Sequence, residues 1–123
     1  MEHGDFTHIE LPADEPERAK RFYAELFDWR FSDAPGFDGY HLFTTPSGEQ
    51  GVGGAIGKRG EMAPESMRTY INVRSVDDVL ARVPELGGRV IAGKQEVPGM
   101  GWFGVFADSE GNELAVWEAL PRS

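Results

Sequence analysis

One order of predicted elements occurs twice along this chain of 123 residues. Each half reads as a strand, a helix and three further strands, and Asp14 and Gly48 in the first half match Asp77 and Gly111 in the second at the same offset. A small sheet that one helix covers still has a second apolar face to bury. We therefore predict an α+β fold of two β-α-β-β-β modules, whose apolar faces either bury each other or enclose something between them.

The length and composition fit one domain. The chain is 40% apolar, which is enough for a core, and nothing in it resembles a disordered tract. Residues 57–66 mix glycine, proline and charge in the manner of a linker. We predict a single domain over 1–123, with module one at about 5–57, a linker at about 57–68 and module two at about 69–119.

The charge balance excludes several classes of partner. The formal net charge is −9, with 12 Lys and Arg against 21 Asp and Glu and no basic run. Nucleic acid and anionic membrane surfaces are therefore not expected partners. There is no cysteine, which excludes disulfides and thiolate catalysis. No apolar run is long enough to span a bilayer and no signal-like N-terminus is present, so a cytoplasmic location is the default expectation.

The first strand and helix predict where a site would lie. Phe6–Leu11 has strand character, and Pro12 is expected to end it. Asp14 is then expected to cap a helix in a capping box with Glu17, with Pro16 in the first turn. The apolar stripe of that helix consists of Ala19, Phe22, Tyr23 and Leu26. If this stripe covers Thr7, Ile9 and Leu11, then His8 and Glu10 point away from the helix into the cavity.

His8 and Glu10 form the sharpest candidate for a catalytic pair. Residues i and i+2 of a strand share a face, roughly 6–7 Å apart, and burying them without partners is costly. They could serve as a polar anchor or an acid/base pair on the cavity floor. Alternatively, neighbours satisfy both, for instance Arg74 or Arg30 beside Glu10.

Other candidates could line the cavity as ligand-binding residues, or could equally be core residues. They are large apolar side chains or glycines beside flexible segments, namely Trp29, Tyr40, Gly54, Met100, Trp102 and Trp117. His41 is expected to be a structural histidine, and His3 part of a free lead-in over residues 1–5. In the second module we predict a helix over Ser75–Leu86 despite Pro84, because Val79, Leu80, Val83 and Leu86 form a stripe.

Three sequence features together resemble the vicinal oxygen chelate superfamily, which includes glyoxalase I, bleomycin-resistance proteins and extradiol dioxygenases. His8 lies fourteen residues before the pair Phe22-Tyr23. Val76-Asp77-Asp78 leads to Leu86-Gly87-Gly88, and the turn 108–112 (DSEGN) precedes the last strand. The resemblance covers nearly the whole chain. It implies the glyoxalase/bleomycin-resistance-like fold, in which the two β-α-β-β-β modules form a cupped mixed sheet around a cavity.

The same resemblance implies a divalent metal held by one side chain from each of four strands. These positions fall on His8, near Gly54, on Ile71 and on Ala115, so one donor of four is present. We therefore expect no cofactor and disfavour a divalent metal. An atypical site would have to use His8, Glu10 and Glu113.

The resulting hypotheses concern a small-molecule protein. The first is a glyoxalase/bleomycin-resistance-like protein that binds a small organic molecule in an apolar cavity, with any catalysis independent of the usual metal. The alternatives are a non-catalytic protein that sequesters a drug or metabolite, and a metal-dependent lyase, isomerase or dioxygenase with an atypical site using His8. The resemblance also implies a homodimer, to which the apolar content around Trp102 and Trp117 could contribute.

Overall fold

The computed structural model describes residues 2–121 and confirms the α+β fold with two β-α-β-β-β modules. The first module consists of β1 (Phe6–Ala13), α1 (Pro16–Phe27), β2 (Arg30–Asp33), β3 (Tyr40–Thr44) and β4 (Gly54–Lys58). The second consists of β5 (Arg68–Asn72), α2 (Val76–Arg82), β6 (Arg89–Val97), β7 (Gly101–Ala107) and β8 (Glu113–Ala119). Two 3₁₀ turns lie at Gly48–Gln50 and Pro84–Leu86. No helix within the described part is long and apolar enough to cross a membrane.

The chain divides into two compact units with the same internal topology. One unit is His8–Arg68, and the other is residues 69–121 together with residues 2–7. The strand order within the first is β2-β3-β4-β1, and within the second it is β6-β7-β8-β5. In each, the first strand of the module pairs in parallel with the fourth, as β1 with β4 and β5 with β8. The repeat predicted from the sequence is therefore a repeat of topology as well.

The N-terminal residues are hydrogen-bonded to the end of β5, so the predicted free lead-in is wrong. The Gly4 amide donates to the Asn72 carbonyl at 2.7 Å, and the Asn72 amide donates to the Asp5 carbonyl at 2.7 Å. The Arg74 amide donates to His3 Nδ1 at 3.1 Å. These bonds lengthen the ladder of the second unit and give His3 a structural partner.

The first helix covers the face of the sheet that alternation predicted. Ile9 and Leu11 pack with Ala19 and Tyr23 around a buried cluster that contains Ile56. The strand register used in the sequence analysis is therefore correct for β1. The apolar stripe of α1 is narrower than predicted, because Phe22 is 58% exposed and Leu26 is exposed to a similar extent.

The predicted start of α1 is wrong in two details. β1 continues through Pro12, which pairs with Gly57 in the parallel ladder, and ends at Ala13. The N-cap is Glu15, which makes no side-chain cap bond, while Asp14 accepts a hydrogen bond from Arg59 Nε at 3.0 Å. Asp14 therefore ties the start of the helix to the end of β4 instead of capping it.

The second helix is shorter than predicted. Ser75 Oγ accepts from the Asp78 amide at 3.1 Å and caps α2, as expected of a serine at this position. Pro84 ends the α-helix because it has no amide to donate, and a 3₁₀ turn follows. Val76 and Leu80 reach the core, whereas Leu86 is 67% exposed and does not belong to the stripe.

Candidate functional site

The far face of the first sheet, meaning the face that points away from α1, carries the candidate polar pair. In the ladder of β1 and β4, Glu10 is level with Ala55, and in that of β3 and β4, Leu42 is level with Ala55. Residues two apart on a strand share a face. His8 and Tyr40 therefore lie on the same face as these three residues. The sequence of β3 alone does not show which of its side chains face away from α1. The pairing of β3 with β4 shows that Tyr40 and Leu42 do.

Tyr40 connects the two polar residues of β1. Its hydroxyl donates to Glu10 Oε2 at 2.6 Å and is 2.8 Å from His8 Nε2. Since β4 lies between β3 and β1, the phenol ring crosses a whole strand, and β1 and β3 are about 10 Å apart. Ala55 and Gly57 leave room for this crossing because neither has a side chain larger than a methyl group. Small residues on the middle strand thus make the chain His8–Tyr40–Glu10 possible.

The hydrogen-bond chain fixes the tautomer of His8. A tyrosine hydroxyl has one proton, and here it goes to the Glu10 carboxylate. The bond between Tyr40 and His8 then requires His8 Nε2 to donate. In the neutral imidazole this assignment leaves the lone pair on Nδ1.

Burial keeps His8 neutral near neutral pH. Removal of the ring from water lowers the pKa of His8 below 6.5, and the negative charge of Glu10 opposes this change without cancelling it. Glu10 itself is only 8% exposed, and His8 is partly buried. A neutral imidazole hydrogen-bonded through tyrosine to a carboxylate is an arrangement suited to accepting a proton.

The lowered pKa of His8 predicts a pH dependence of stability. Between the folded pKa and about 6.5 the unfolded chain binds a proton at His8 that the native protein does not bind. We expect the free energy of unfolding of the wild type, minus that of His8→Gln, to fall as the pH is lowered through this window and to be constant above it. Urea unfolding from about pH 8 to about pH 5.5 measures this difference. A difference that grows on acidification would contradict the assigned direction of the pKa shift.

Two ligand-binding candidates of the first module lie on the helix side of its sheet. Trp29 stacks between Tyr23 and Phe43, with ring centroids 4.6 Å and 4.3 Å away. Gly54 is level with Ile9, and a Cβ built on it would lie 1.8 Å from the Ile9 carbonyl oxygen. The glycine therefore serves the close approach of two strands, and Trp29 serves the core under α1.

The candidates of the second module divide between the two faces of its own sheet. Trp102 packs with the α2 cluster, and the ammonium of Lys94 lies 4.7 Å from its ring centroid. Trp117 lies on the opposite face, which points away from α2, in a cluster with Tyr70 and Ala115. The two tryptophans therefore lie on opposite faces of this sheet.

The remaining candidates have simpler surroundings. Met100 is in the turn before β7 and exposed, and Glu113 is exposed at the start of β8 on the face of Trp117. His41 Nδ1 is 2.8 Å from Asp33 Oδ1 on the helix side of β3, the expected structural role. Glu118 accepts from the Val76 amide at 2.9 Å and so serves the start of α2.

The family's metal positions do not fit a metal in this chain. The sequence analysis counted Ile71 as a metal position that faces away from the helix. In the structure Ile71 lies on the helix side of its sheet with Val116, so the position that faces away from the helix belongs to a neighbouring residue. Moving from Gly54 and Ile71 to the far-face neighbours gives Ala55 and Tyr70, which are neither imidazoles nor carboxylates. Among residues 2–121, no three His, Asp or Glu side chains are grouped so that they could hold an ion.

Sequence reasoning missed the role of Tyr40 as the bridge between His8 and Glu10. Tyr40 was a candidate for lining a cavity, but nothing local in β3 identified its partner. Ala55 and Gly57 are small and two residues apart on β4, but Gly54 beside them is small as well. The sequence of β4 alone therefore does not show which face a large side chain covers.

Comparison with known proteins gives the family. The model of the family described as "Glyoxalase-like domain" matches residues 8–117. A "Glyoxylase-like domain-containing protein" of Didymella fabae is 31% identical over 120 residues, which are 93% of each chain. "Putative glyoxylase CFP32" of Mycobacterium bovis is 32% identical over 117 residues, which are 90% of this chain and 44% of the relative's length.

A solved structure shows the same fold at low identity. It is a glyoxalase/bleomycin resistance protein/dioxygenase superfamily member from Vibrio splendidus, with a TM-score of 0.65 and 10% identity over 92% of this chain and 97% of that one. The family match and the relatives carry the assignment, and the structural likeness supports the fold. The chain belongs to the glyoxalase-like domain family of the vicinal oxygen chelate superfamily.

Proposed function

We propose that this domain binds a small organic molecule with an acidic hydrogen at the far face of the first sheet, and that His8 exchanges a proton with it without a metal. The observation that carries the proposal is the chain His8–Tyr40–Glu10, in which 2.8 Å and 2.6 Å separate the bonded atoms. The homodimer, the cytoplasmic location and the identity of the ligand stay predictions.

The proposed proton transfer follows from where the protons lie in the hydrogen-bond chain His8–Tyr40–Glu10. A C–H or O–H proton of the ligand passes to the neutral imidazole of His8, and the electron pair of the broken bond stays on the ligand as an enolate or oxyanion. The imidazolium that forms still donates from Nε2 to the Tyr40 hydroxyl. The Glu10 carboxylate, to which that hydroxyl donates, stabilises the new positive charge. Return of the proton to the same atom, or to a neighbouring one, completes an exchange or an isomerisation.

A small carbonyl compound is the ligand class that fits this step. A hydrogen on carbon next to a carbonyl is acidic because the resulting negative charge spreads to oxygen, so a neutral imidazole placed beside it can act as the base. Leu42, which lies on the same face and is only partly buried, offers apolar contact to the rest of the molecule. The word "glyoxylase" in the names of two relatives supports this class.

Hydrogen exchange into a model ketone tests the proposal. In D₂O with a chelator present, we expect the domain to accelerate exchange of the α-hydrogens of hydroxyacetone, followed by proton NMR. His8→Gln should lower the accelerated rate by at least about 100-fold, the usual contribution of a positioned base. His41→Gln is the matched control, because His41 lies on the helix side of the sheet and should leave the rate unchanged.

Other results would select the remaining hypotheses. Binding of hydroxyacetone without exchange would favour a protein that sequesters its ligand. Exchange that disappears with chelator and returns with a divalent ion would favour the atypical metal enzyme. Equal exchange by the wild type and His8→Gln would contradict the role proposed for His8.

A further inference from the structure

We propose that Asp38 is a site of spontaneous covalent modification, at which aspartate isomerises to isoaspartate through a cyclic imide with Gly39. Isoaspartate is the isomer whose main chain continues through the side-chain carboxyl carbon. Asp38 and Gly39 are the one Asp-Gly pair in the sequence, and no Asn precedes a Gly. The modification itself is independent of the proposed function, whereas its effect on the exchange of ligand hydrogens rests on that function.

Asp38 and Gly39 lie at the end of the loop that joins β2 to β3. The Ala34 amide closes this loop by donating to the Tyr40 carbonyl at 3.1 Å. Asp38 and Gly39 are both exposed, and Gly39 has a φ of 79°. Within the described part of the chain, a Cβ built on Gly39 would have one neighbour, Met62 Cγ at 3.7 Å. The reacting atoms are therefore open to water, and the missing side chain of Gly39 leaves their approach unhindered.

Hydrogen bonds hold neither of the two reacting groups among residues 2–121. The Asp38 carboxylate has no hydrogen bond or ion pair there, and the Gly39 amide has no acceptor. The first turn of the same loop is bonded, since the Phe37 amide donates to the Ala34 carbonyl at 3.1 Å. A bonded amide must break its hydrogen bond before its nitrogen can attack a carboxyl carbon. The Gly39 nitrogen does not have this barrier.

Asp108 shows the opposite arrangement in the same protein. It also precedes a small residue, Ser109, in the turn before β8. Asp108 Oδ1 accepts from the amides of Glu110 at 2.8 Å and Asn112 at 2.9 Å, and Oδ2 accepts from Asn112 Nδ2 at 3.0 Å. Hydrogen bonds from the side chain and amide of Asn112, and from the Glu110 amide, lower the pKa of Asp108. Its carboxyl is fixed and ionised, and an ionised carboxyl has no hydroxyl group to lose as water.

The reaction balances with water as its one co-reactant. The Gly39 amide nitrogen forms a bond to Cγ of Asp38, and the hydroxyl of the neutral carboxylic acid leaves as water with the amide proton. Water then adds to one of the two carbonyls of the five-membered ring. Addition at Cγ restores aspartate, whereas addition at the main-chain carbonyl breaks its bond to the Gly39 nitrogen and leaves isoaspartate. The main chain is then longer by one carbon–carbon bond, about 1.5 Å.

The added length falls directly before Tyr40. The Tyr40 carbonyl accepts from the Ala34 amide, and the Tyr40 hydroxyl donates to Glu10 at 2.6 Å. The extra atom lies inside the loop that the bond between Ala34 and Tyr40 closes, so we expect that bond to weaken first. The start of β3 moves with it, and the hydrogen-bond chain His8–Tyr40–Glu10 loosens.

Warm incubation of the full chain at neutral pH, followed by mass spectrometry with electron-based fragmentation of its peptides, locates isoaspartate. We expect isoaspartate to accumulate at Asp38 at least about tenfold faster than at Asp108, a barrier difference of about 1.4 kcal/mol. Asp38→Glu keeps the carboxylate but would need a six-membered ring, so no isomer should form. Asp38→Asn should form the same imide with release of ammonia, and it serves as the positive control.

The same incubation in urea measures what the fold contributes. Unfolding removes the hydrogen bonds of Asp108, so its rate should rise and the ratio of the rates at the two sites should fall. If isoaspartate forms at Asp38 in the unfolded chain but not in the native protein, the native loop protects Asp38 and the proposal is overturned. An equal ratio in urea and in water would overturn the role given to the hydrogen bonds.

Hydrogen exchange at Ala34 tests the effect on Tyr40 without a ligand. In the isomerised chain, separated by ion exchange, the Ala34 amide should exchange with D₂O about tenfold faster, within the range for loss of one hydrogen bond. An unchanged rate would overturn the link to Tyr40. Where the wild type exchanges the hydrogens of hydroxyacetone, the isomerised chain should do so more slowly. Faster exchange at Ala34 in a protein that never acts on hydroxyacetone would support the modification and contradict the proposed function alone.

Discussion

Gly54→Ala is expected to lower the free energy of unfolding by at least about 3 kcal/mol, above the usual range for an inserted methyl group. The added Cβ would lie 1.8 Å from the carbonyl oxygen of Ile9 and 2.9 Å from its amide nitrogen, at the first pair of the parallel ladder of β1 and β4. Both atoms belong to backbone, so no side chain can turn aside. The two strands must separate, and their hydrogen bonds lengthen or break. Urea unfolding followed by circular dichroism measures the loss.

Gly93→Ala is the matched control for this prediction. Gly93 lies inside β6, and a Cβ there would have no atom within 4 Å. Its free energy of unfolding should stay within about 1 kcal/mol of the wild type, because alanine also restricts the unfolded chain. Equal stabilities of Gly54→Ala and Gly93→Ala would contradict the close approach of β1 and β4.

The order of strands and helices was predictable because residues typical of turns separate them clearly in both modules. Proline, glycine and aspartate lie at the turns, and the strands between them are short and apolar. The repeat then fixed the pairing of elements into two modules. Boundaries failed where one residue has two roles: Asp14 can cap a helix, but Arg59, 45 residues later, takes its carboxylate. A long-range partner of this kind leaves no trace in the local pattern.

The faces of individual strands were less predictable, because a slip of one residue exchanges the two faces of a strand. Gly54 follows another glycine and precedes an alanine, so small side chains conceal the alternation there. Ile71 lies in a strand where an aromatic residue, an aliphatic residue and an amide follow one another. In both strands the register came from the pairing with a neighbour, as in Tyr70 with Ala115.

The site was partly predictable for the same reason. Alternation placed His8 and Glu10 together because β1 has a clear apolar partner in α1. Tyr40 could not be assigned to them, since the link crosses β4 and joins residues 30 and 32 positions apart. The aromatic candidates were ambiguous because a tryptophan suits a cavity wall and a core equally well. Only packing separates these two roles, as it does for Trp29.

Trp29→Ala is expected to lower the free energy of unfolding by about 3 kcal/mol, near the lower end for loss of a large aromatic side chain from a core. Its ring is nearly parallel to those of Tyr23 and Phe43, at interplanar angles of 12° and 5°. Removing it breaks two stacked pairs and leaves the buried Phe43 beside an empty space. The lower end of the range applies because Trp29 is itself only partly buried. Urea unfolding at one pH, with unchanged slope, measures the change.

Phe22→Ala provides the comparison on the same helix–strand layer. Phe22 contacts Tyr23 edge-on at 5.2 Å between centroids, yet more than half of its surface is exposed. Its loss should cost less than about 1 kcal/mol, as for most exposed side chains. Because Trp29 lies on the opposite face from His8, the rate at which Trp29→Ala exchanges the hydrogens of hydroxyacetone should equal that of the wild type wherever the variant is folded. A loss of this rate without loss of stability would place Trp29 among the ligand-binding residues and contradict its placement under α1.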